Sequence, residues 1–231
     1  MPTSRPRNRL WILAIEEVVD RAAESVAGGI KIKVGHPDHA TDLARVSAVR
    51  EKIGDRVALM VDANQQRGRS TARRMCRALE PLDLVWIEEP LDAYDFAGHA
   101  VLASTFDTSI ATGEMLTSAA EHAELIRAGG ADVVQPDAPR VGGITRFLKV
   151  MALADSQHLQ LAPHFAMEIH VHLAAAYART VGRALRMARP AVQRTPGDLR
   201  WPMHISLRPG LGVTISDRAR AWTVAEREVR A

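Results

Sequence analysis

Cysteine is nearly missing from this chain. Cys76 is the only one in 231 residues, so no intramolecular disulfide can form and a reducing compartment is expected. Long apolar runs are missing too: none approaches the roughly 20 residues of a membrane-spanning helix, so no membrane partner is expected. Arg5, Arg7 and Arg9 precede a short apolar patch, Leu10 to Ile15, but it runs straight into Glu16 and Glu17, unlike the core of a secretion signal. The expected location is cytoplasmic. Aromatic residues are sparse, at 4%, and do not interleave with the basic segments.

A pI near 9.4 invites a nucleic-acid reading, but the distribution of charge opposes it. Three Arg give residues 1–15 a charge of +3, and six Arg against Asp198 give residues 178–202 a charge of +5. With a net charge of +3, the remaining body carries −5. The basicity is confined to two segments without a binding motif, and no nucleic-acid partner is expected.

What the sequence does have is a series. Asp62, Glu88 and Glu114 each close a short apolar run: Val57 to Asp62, Leu84 to Glu88 and Ser109 to Glu114. Asp137 and His164 continue it, with steps of 26, 26, 23 and 27 residues. Helix-length segments lie between. Strand, helix and strand at this spacing indicate an α/β fold, a (β/α) barrel of the TIM type, which uses roughly 30 residues per unit. Strand ends of such a barrel converge on one face, so five ionisable residues at one phase read as a single site.

The residue types suggest its chemistry. Three carboxylates with no Cys or His among them suit a hard divalent cation such as Mg²⁺ rather than zinc; structural ion pairs with Arg are the plain alternative. Lys31 and Lys33 share one face of the strand Ile30 to Gly35. On an edge strand they would be solvated; inside a barrel each would lower the other's hold on its proton, which suits a general base. Asp137 and His164 end adjacent units, so the carboxylate can orient the imidazole as a second base, although a core His bonded to a backbone carbonyl is the plain reading. Lys33 would then face His164 across the barrel mouth. Two bases about a metal-bound acid imply proton abstraction next to a carboxylate, through a cation-stabilised enediolate.

In order, helices are expected over Ala14 to Val26, Asp42 to Lys52, Arg73 to Leu79, Asp95 to Ala103, Ser118 to Ala128, Ile144 to Ser156 and Met167 to Tyr177. Six strands alternate with them, ending with Leu159 to Ala162, so the barrel is expected to be incomplete. Met203 to Leu207 and Leu211 to Ile215, joined by Arg208-Pro209-Gly210, read as a hairpin or as two short extended pieces, with a last helix over Asp217 to Arg227. Four segments follow: a basic N-terminus (1–13), the barrel (14–177), an Arg-rich stretch (178–202) and the closing pieces (203–231). His36 and His39 read as solvated loop residues, and His170 and His172 as packing or subunit contacts.

Lys31-Ile32-Lys33, Asp62-Ala63-Asn64, Trp86-Ile87-Glu88-Glu89-Pro90, Thr112-Gly113-Glu114, Pro136-Asp137 and Pro163-His164 together resemble the motif set of the enolase superfamily, mandelate racemase subgroup. Trp86 to Asp95, Thr112 to Thr117, Gln135 to Gly143 and Ala162 to Ala176 resemble its acid-sugar dehydratases most. The resemblance implies Mg²⁺ on Asp62, Glu88 and Glu114. It implies Lys33 as one base with Lys31 beside it, and Asp137 with His164 as the other. Asn64 and Glu89 are the substrate-contact candidates, and the resemblance implies a hexarate-like acid sugar as the substrate. No counterpart of the family's N-terminal capping domain or first strand is expected, and its last-strand Glu is expected to be missing, since no Glu occurs between Glu168 and Glu226. A barrel open at its edges is expected to form a homo-oligomer. A racemase, a cycloisomerase or a non-catalytic metal-binding remnant are the competing readings.

Overall fold

The computed structural model describes residues 29–178 and 208–225, with the backbone of 192–193. Strands and helices alternate: β1 (Gly29–Lys33), α1 (His39–Ile53), β2 (Ala58–Asp62), α2 (Arg69–Leu79), β3 (Leu84–Glu88) and α3 (Phe96–Thr105). Then come β4 (Ile110–Thr112), α4 (Ala119–Arg127), β5 (Val133–Val134), α5 (Ile144–Ser156), β6 (Gln160–Leu161) and α6 (Met167–Ala175). All six strands pair in parallel and in sequence order, the wall of a (β/α) barrel, as expected.

Alternation along the strands separates two environments. Ile32, Val61, Ile87 and Ile110 pack with helix residues such as Val46, Met75 and Leu102, while Val134 and Leu161 pack with Phe147 and Val150. The opposite phase gives a separate inner cluster of Met60, Trp86, Ala111, Val133 and Ala162. Register then brings the site residues to one level: Lys33 stands opposite Asp62, and Asp62 opposite Glu88.

The helices follow from local chemistry. In α2 the apolar Ala72, Met75, Cys76 and Leu79 recur at helical spacing and are buried, while Arg73, Arg74 and Arg77 face solvent. At α4 the Ser118 side chain accepts from the Glu121 amide at 3.2 Å, and Glu121 reaches back to the Thr117 amide at 2.6 Å. α1 begins at His39, three residues before expectation, because Asp38 caps it through the Ala40 amide at 3.1 Å. β4 stops at Thr112 rather than Glu114, where Gly113 turns the chain with a φ of +125°.

In the closing segment Thr214–Ile215 is extended, as expected, while the other arm expected of a hairpin lies outside the described residues. β7 (Val192–Gln193) pairs antiparallel with β8 (Thr214–Ile215). Within the turn, the Arg208 guanidinium bonds the Gly212 carbonyl. α7 (Asp217–Arg220) ends early, in i→i+3 bonds from Trp222 to Ala219 and Thr223 to Arg220. The helix expected over 14–26, the strand over 203–207 and nearly all of 178–202 lie outside the described residues. Among the described residues no helix is long and apolar enough to cross a membrane.

At the rim opposite the site, Arg50 is 8% exposed and uses its guanidinium on four carbonyls, those of Leu82, Gly54, Val57 and Asp83, at 2.8–3.0 Å. These groups line the approaches to β2 and β3. Arg50→Met should leave them unpaired and cost about 3 kcal/mol or more in urea unfolding, with the slope of the transition unchanged.

His99 and His122 are wholly buried, each with Nδ1 on the carbonyl of the residue four before it, Asp95 and Ser118. Burial lowers both below the ordinary imidazole value of 6.5. The fold therefore holds them neutral, while the unfolded chain takes up their protons as pH falls below 6.5. Melting temperature should drop on acidification through that window, and His122→Gln should flatten the drop in calorimetry.

Candidate active site

Asp62 ends β2, Glu88 ends β3, and Glu114 follows β4. Their ligand-capable oxygens all lie within 4.8 Å of one another, close enough to bind one ion. Asp62 and Glu88 are fully buried and Glu114 is 8% exposed. The expected carboxylate cluster is therefore present as geometry. Asp62 Oδ1 also accepts the Asn64 amide at 2.9 Å, which curls the chain into left-handed residues Asn64 and Gln65, with φ of 41° and 62°.

Two lysines from β1 enter this cluster. The Lys31 ammonium donates to both Glu88 oxygens at 2.5 Å and lies 3.5 Å from Asp62 Oδ2. Lys33 donates to Asp62 Oδ2. The pair does face inward, but the expected depression of Lys31 is overturned. Burial lowers it, yet Glu88, Asp62 and Glu114 together outweigh that and hold the ammonium above its ordinary value. Burial and the Glu88 charge keep the Asp62 carboxyl above the usual range despite both lysines.

On the other side, His164 Nδ1 is 3.0 Å from Asp137 Oδ2, the pairing expected, and its Nε2 is 3.2 Å from Glu114 Oε2. Lys33 thus meets the cluster at Asp62 and His164 meets it at Glu114, from β1 and β6, the two edges of the six-stranded sheet. Glu89 is wholly buried with a φ of 41°, and Gln65 Nε2 donates to its Oε2 at 3.0 Å. Burial, then the Glu114 charge, push its carboxyl up to about 8. Asn64 is half-buried at the cluster's margin.

Sequence reasoning missed two partners of Glu88. Trp86 Nε1 and Gln135 Nε2 both donate to Glu88 Oε2, at 3.1 and 2.9 Å. Alternation could have flagged them: Trp86 precedes Glu88 by two residues, and Gln135 follows the inward Val133 by two. Other histidines differ from expectation. His36 and His39 are half-buried, His36 bonded to the Asp38 amide and His39 to Arg67. His170, 1% exposed and 5.3 Å from the Phe147 ring, packs inside the fold as one of the two expected readings has it, and His172 Nε2 lies 3.2 Å from the Leu211 carbonyl.

A parallel wall with a carboxylate cluster at the C-terminal ends of its strands marks a (β/α)-barrel domain with a candidate metal site. The chain belongs to the Enolase C-terminal domain-like family, whose model matches residues 14–219. It is 55% identical over 201 residues to L-talarate/galactarate dehydratase of Salmonella typhimurium, covering 87% of this chain and 50% of that protein. It is 38% identical to 3,6-anhydro-alpha-L-galactonate cycloisomerase of Streptomyces coelicolor, covering 88% and 58%. The chain thus spans about half the length of these curated relatives. L-talarate dehydratase from Polaromonas sp. JS666, crystallised with Mg and L-glucarate, superposes with a TM-score of 0.86 at 54% identity, over 95% of this chain and 63% of that one. The Salmonella typhimurium enzyme with Mg and L-lyxarohydroxamate superposes at 0.87 with 52% identity, over 92% and 56%.

Burial raises the Asp137 carboxyl, but the His164 hydrogen bond and the Arg140 amide reverse this and leave it below the usual carboxylate range. His164→Ala should therefore raise the Asp137 titration midpoint, read by carboxyl-carbon NMR.

Proposed function

We propose that this chain is the barrel portion of a Mg²⁺-dependent dehydratase of hexarate-like acid sugars. The observation that carries the reading is the cluster of Asp62, Glu88 and Glu114, three buried carboxylates within 4.8 Å at adjacent strand ends. An all-oxygen donor set without thiolate or imidazole suits Mg²⁺, and burial together with the Glu88 charge, which hold the Asp62 carboxyl above its usual range, supports a cation there. Bound there, Mg²⁺ supplies Lewis-acid stabilisation to a substrate carboxylate as negative charge builds on it.

The remaining work falls to side chains. Lys33 and His164 approach from opposite sheet edges, so one can take the proton α to the carboxylate while His164 delivers a proton to the departing β-hydroxyl. Water leaves, and the enol product tautomerises to a 2-keto acid. Lys31 neutralises Glu88, and Asp137 orients the His164 ring through Nδ1. Asn64 borders the mouth as a substrate contact. Buried Glu89, tied to Gln65, contributes to its shape. Greater similarity to the dehydratase than to the cycloisomerase supports loss of water over isomerisation of an anhydro sugar acid. Among the described residues β1 and β6 are edge strands, which supports a second copy or further chain covering them. The lone buried Cys76 fits a reducing cytoplasm.

Purified protein incubated with Mg²⁺ and a panel of hexarates should yield 2-keto acid, and chelation should abolish it. Lys33→Ala should slow turnover by at least about 100-fold. No product together with no Mg²⁺ binding by calorimetry would overturn the proposal.

A further inference from the structure

His170 lies on α6, beside the site but outside the cluster, and is 1% exposed. Its Nε2 accepts the Ala138 amide at 2.9 Å. That nitrogen is therefore unprotonated, and Nδ1 carries the proton toward the Phe165 carbonyl, 3.3 Å away. Ala138 follows Asp137, and Phe165 follows His164. One imidazole thus grips the neighbours of both members of the Asp137–His164 pair. Its own place is set by the α6 backbone, where its amide bonds the Ala166 carbonyl at 3.0 Å, and by the Phe147 ring at 5.3 Å.

We propose that His170 is a positioning residue: it staples the loop after β5 to the loop after β6 and so sets the spacing and orientation of Asp137 and His164. Phe165 adds a second constraint. Its φ of 63° is a conformation that bulky L residues rarely adopt, and its ring stacks on His164 at 5.5 Å and 18°. The hydrogen bond from His170 to the Phe165 carbonyl holds that conformation and keeps the stack in place. A phenyl ring at 170 would fill the same space but could make neither directional bond. The catalytic part of this inference rests on the dehydratase reading above; the staple itself does not.

Three variants separate the terms. His170→Phe keeps a ring against Phe147 and removes both bonds. His170→Asn keeps a donor for Phe165, and His170→Gln an acceptor for Ala138. Long-range NMR of the imidazole nitrogens at one pH reads the Asp137 bond at His164 Nδ1, and steady-state kinetics reads kcat and KM for a hexarate. Folded His170→Phe should shift the His164 Nδ1 signal and lower kcat about 100-fold, with KM nearly constant; His170→Asn and His170→Gln should fall between. An unmoved His164 signal in folded His170→Phe overturns the positioning role, as does an equal loss through KM alone. A wild type that turns over no hexarate tells against the dehydratase reading only, and the His164 signal then decides the role of His170. Should His170→Phe fail to fold, wild-type signals and wild-type kcat in both His170→Asn and His170→Gln overturn it.

Discussion

Like-charge repulsion inside a low-dielectric wall is the constraint on which the molecule turns. Asp62, Glu88 and Glu114 are buried or nearly so and crowd within 4.8 Å. Carboxylates so placed repel one another and lose their hydration, and such a cluster persists only with compensating charge and donors. Lys31 and Lys33 supply the charge from the neighbouring strand, and Trp86 with Gln135 supply directed N–H groups to Glu88. Glu88 Oε2 receives three donors from three different strands or strand ends, so its carboxylate is fixed before any ligand arrives.

Each flank of the cluster is moored by buried polar contacts of its own. On the β1 side, Asp42 Oδ2 accepts the Gly35 and His36 amides at 2.8 Å and pairs with Arg67, while Arg45 reaches the Lys33 carbonyl at 3.3 Å. On the β6 side the His164 amide bonds the Pro136 carbonyl at 3.0 Å, and His170 spans the two loops. Loops are ordinarily the loosest parts of a barrel; here hydrogen bonds from α1 and α6 tie down the loops that carry the site.

The β/α alternation and the metal-type carboxylates were legible because both are local signals: apolar runs punctuated at a regular interval, each ending on a charge. Ile144 to Ser156 emerges with the expected bounds, since a Gly-Gly start and an apolar stripe mark it unambiguously. Gln135 was not legible as a Glu88 partner, because the contact joins strands 47 residues apart and depends on pairing order and register. Lys31 was misjudged for a related reason: its neighbour in sequence is a lysine, but its neighbours in space are carboxylates. His170 was legible as packing, but its bonds to Ala138 and Phe165 were not, because helical spacing gives a residue's side of the helix and not what stands opposite.

Arg50 closes the wall at the other rim, gathering four loop carbonyls far from any reacting group. Integrity and chemistry are therefore entrusted to separate ends of the same strands. Residues around the carboxylate-bearing mouth are thereby separated from the Arg50 knot beneath. Such a division leaves one scaffold free to explore many substrates while staying folded throughout.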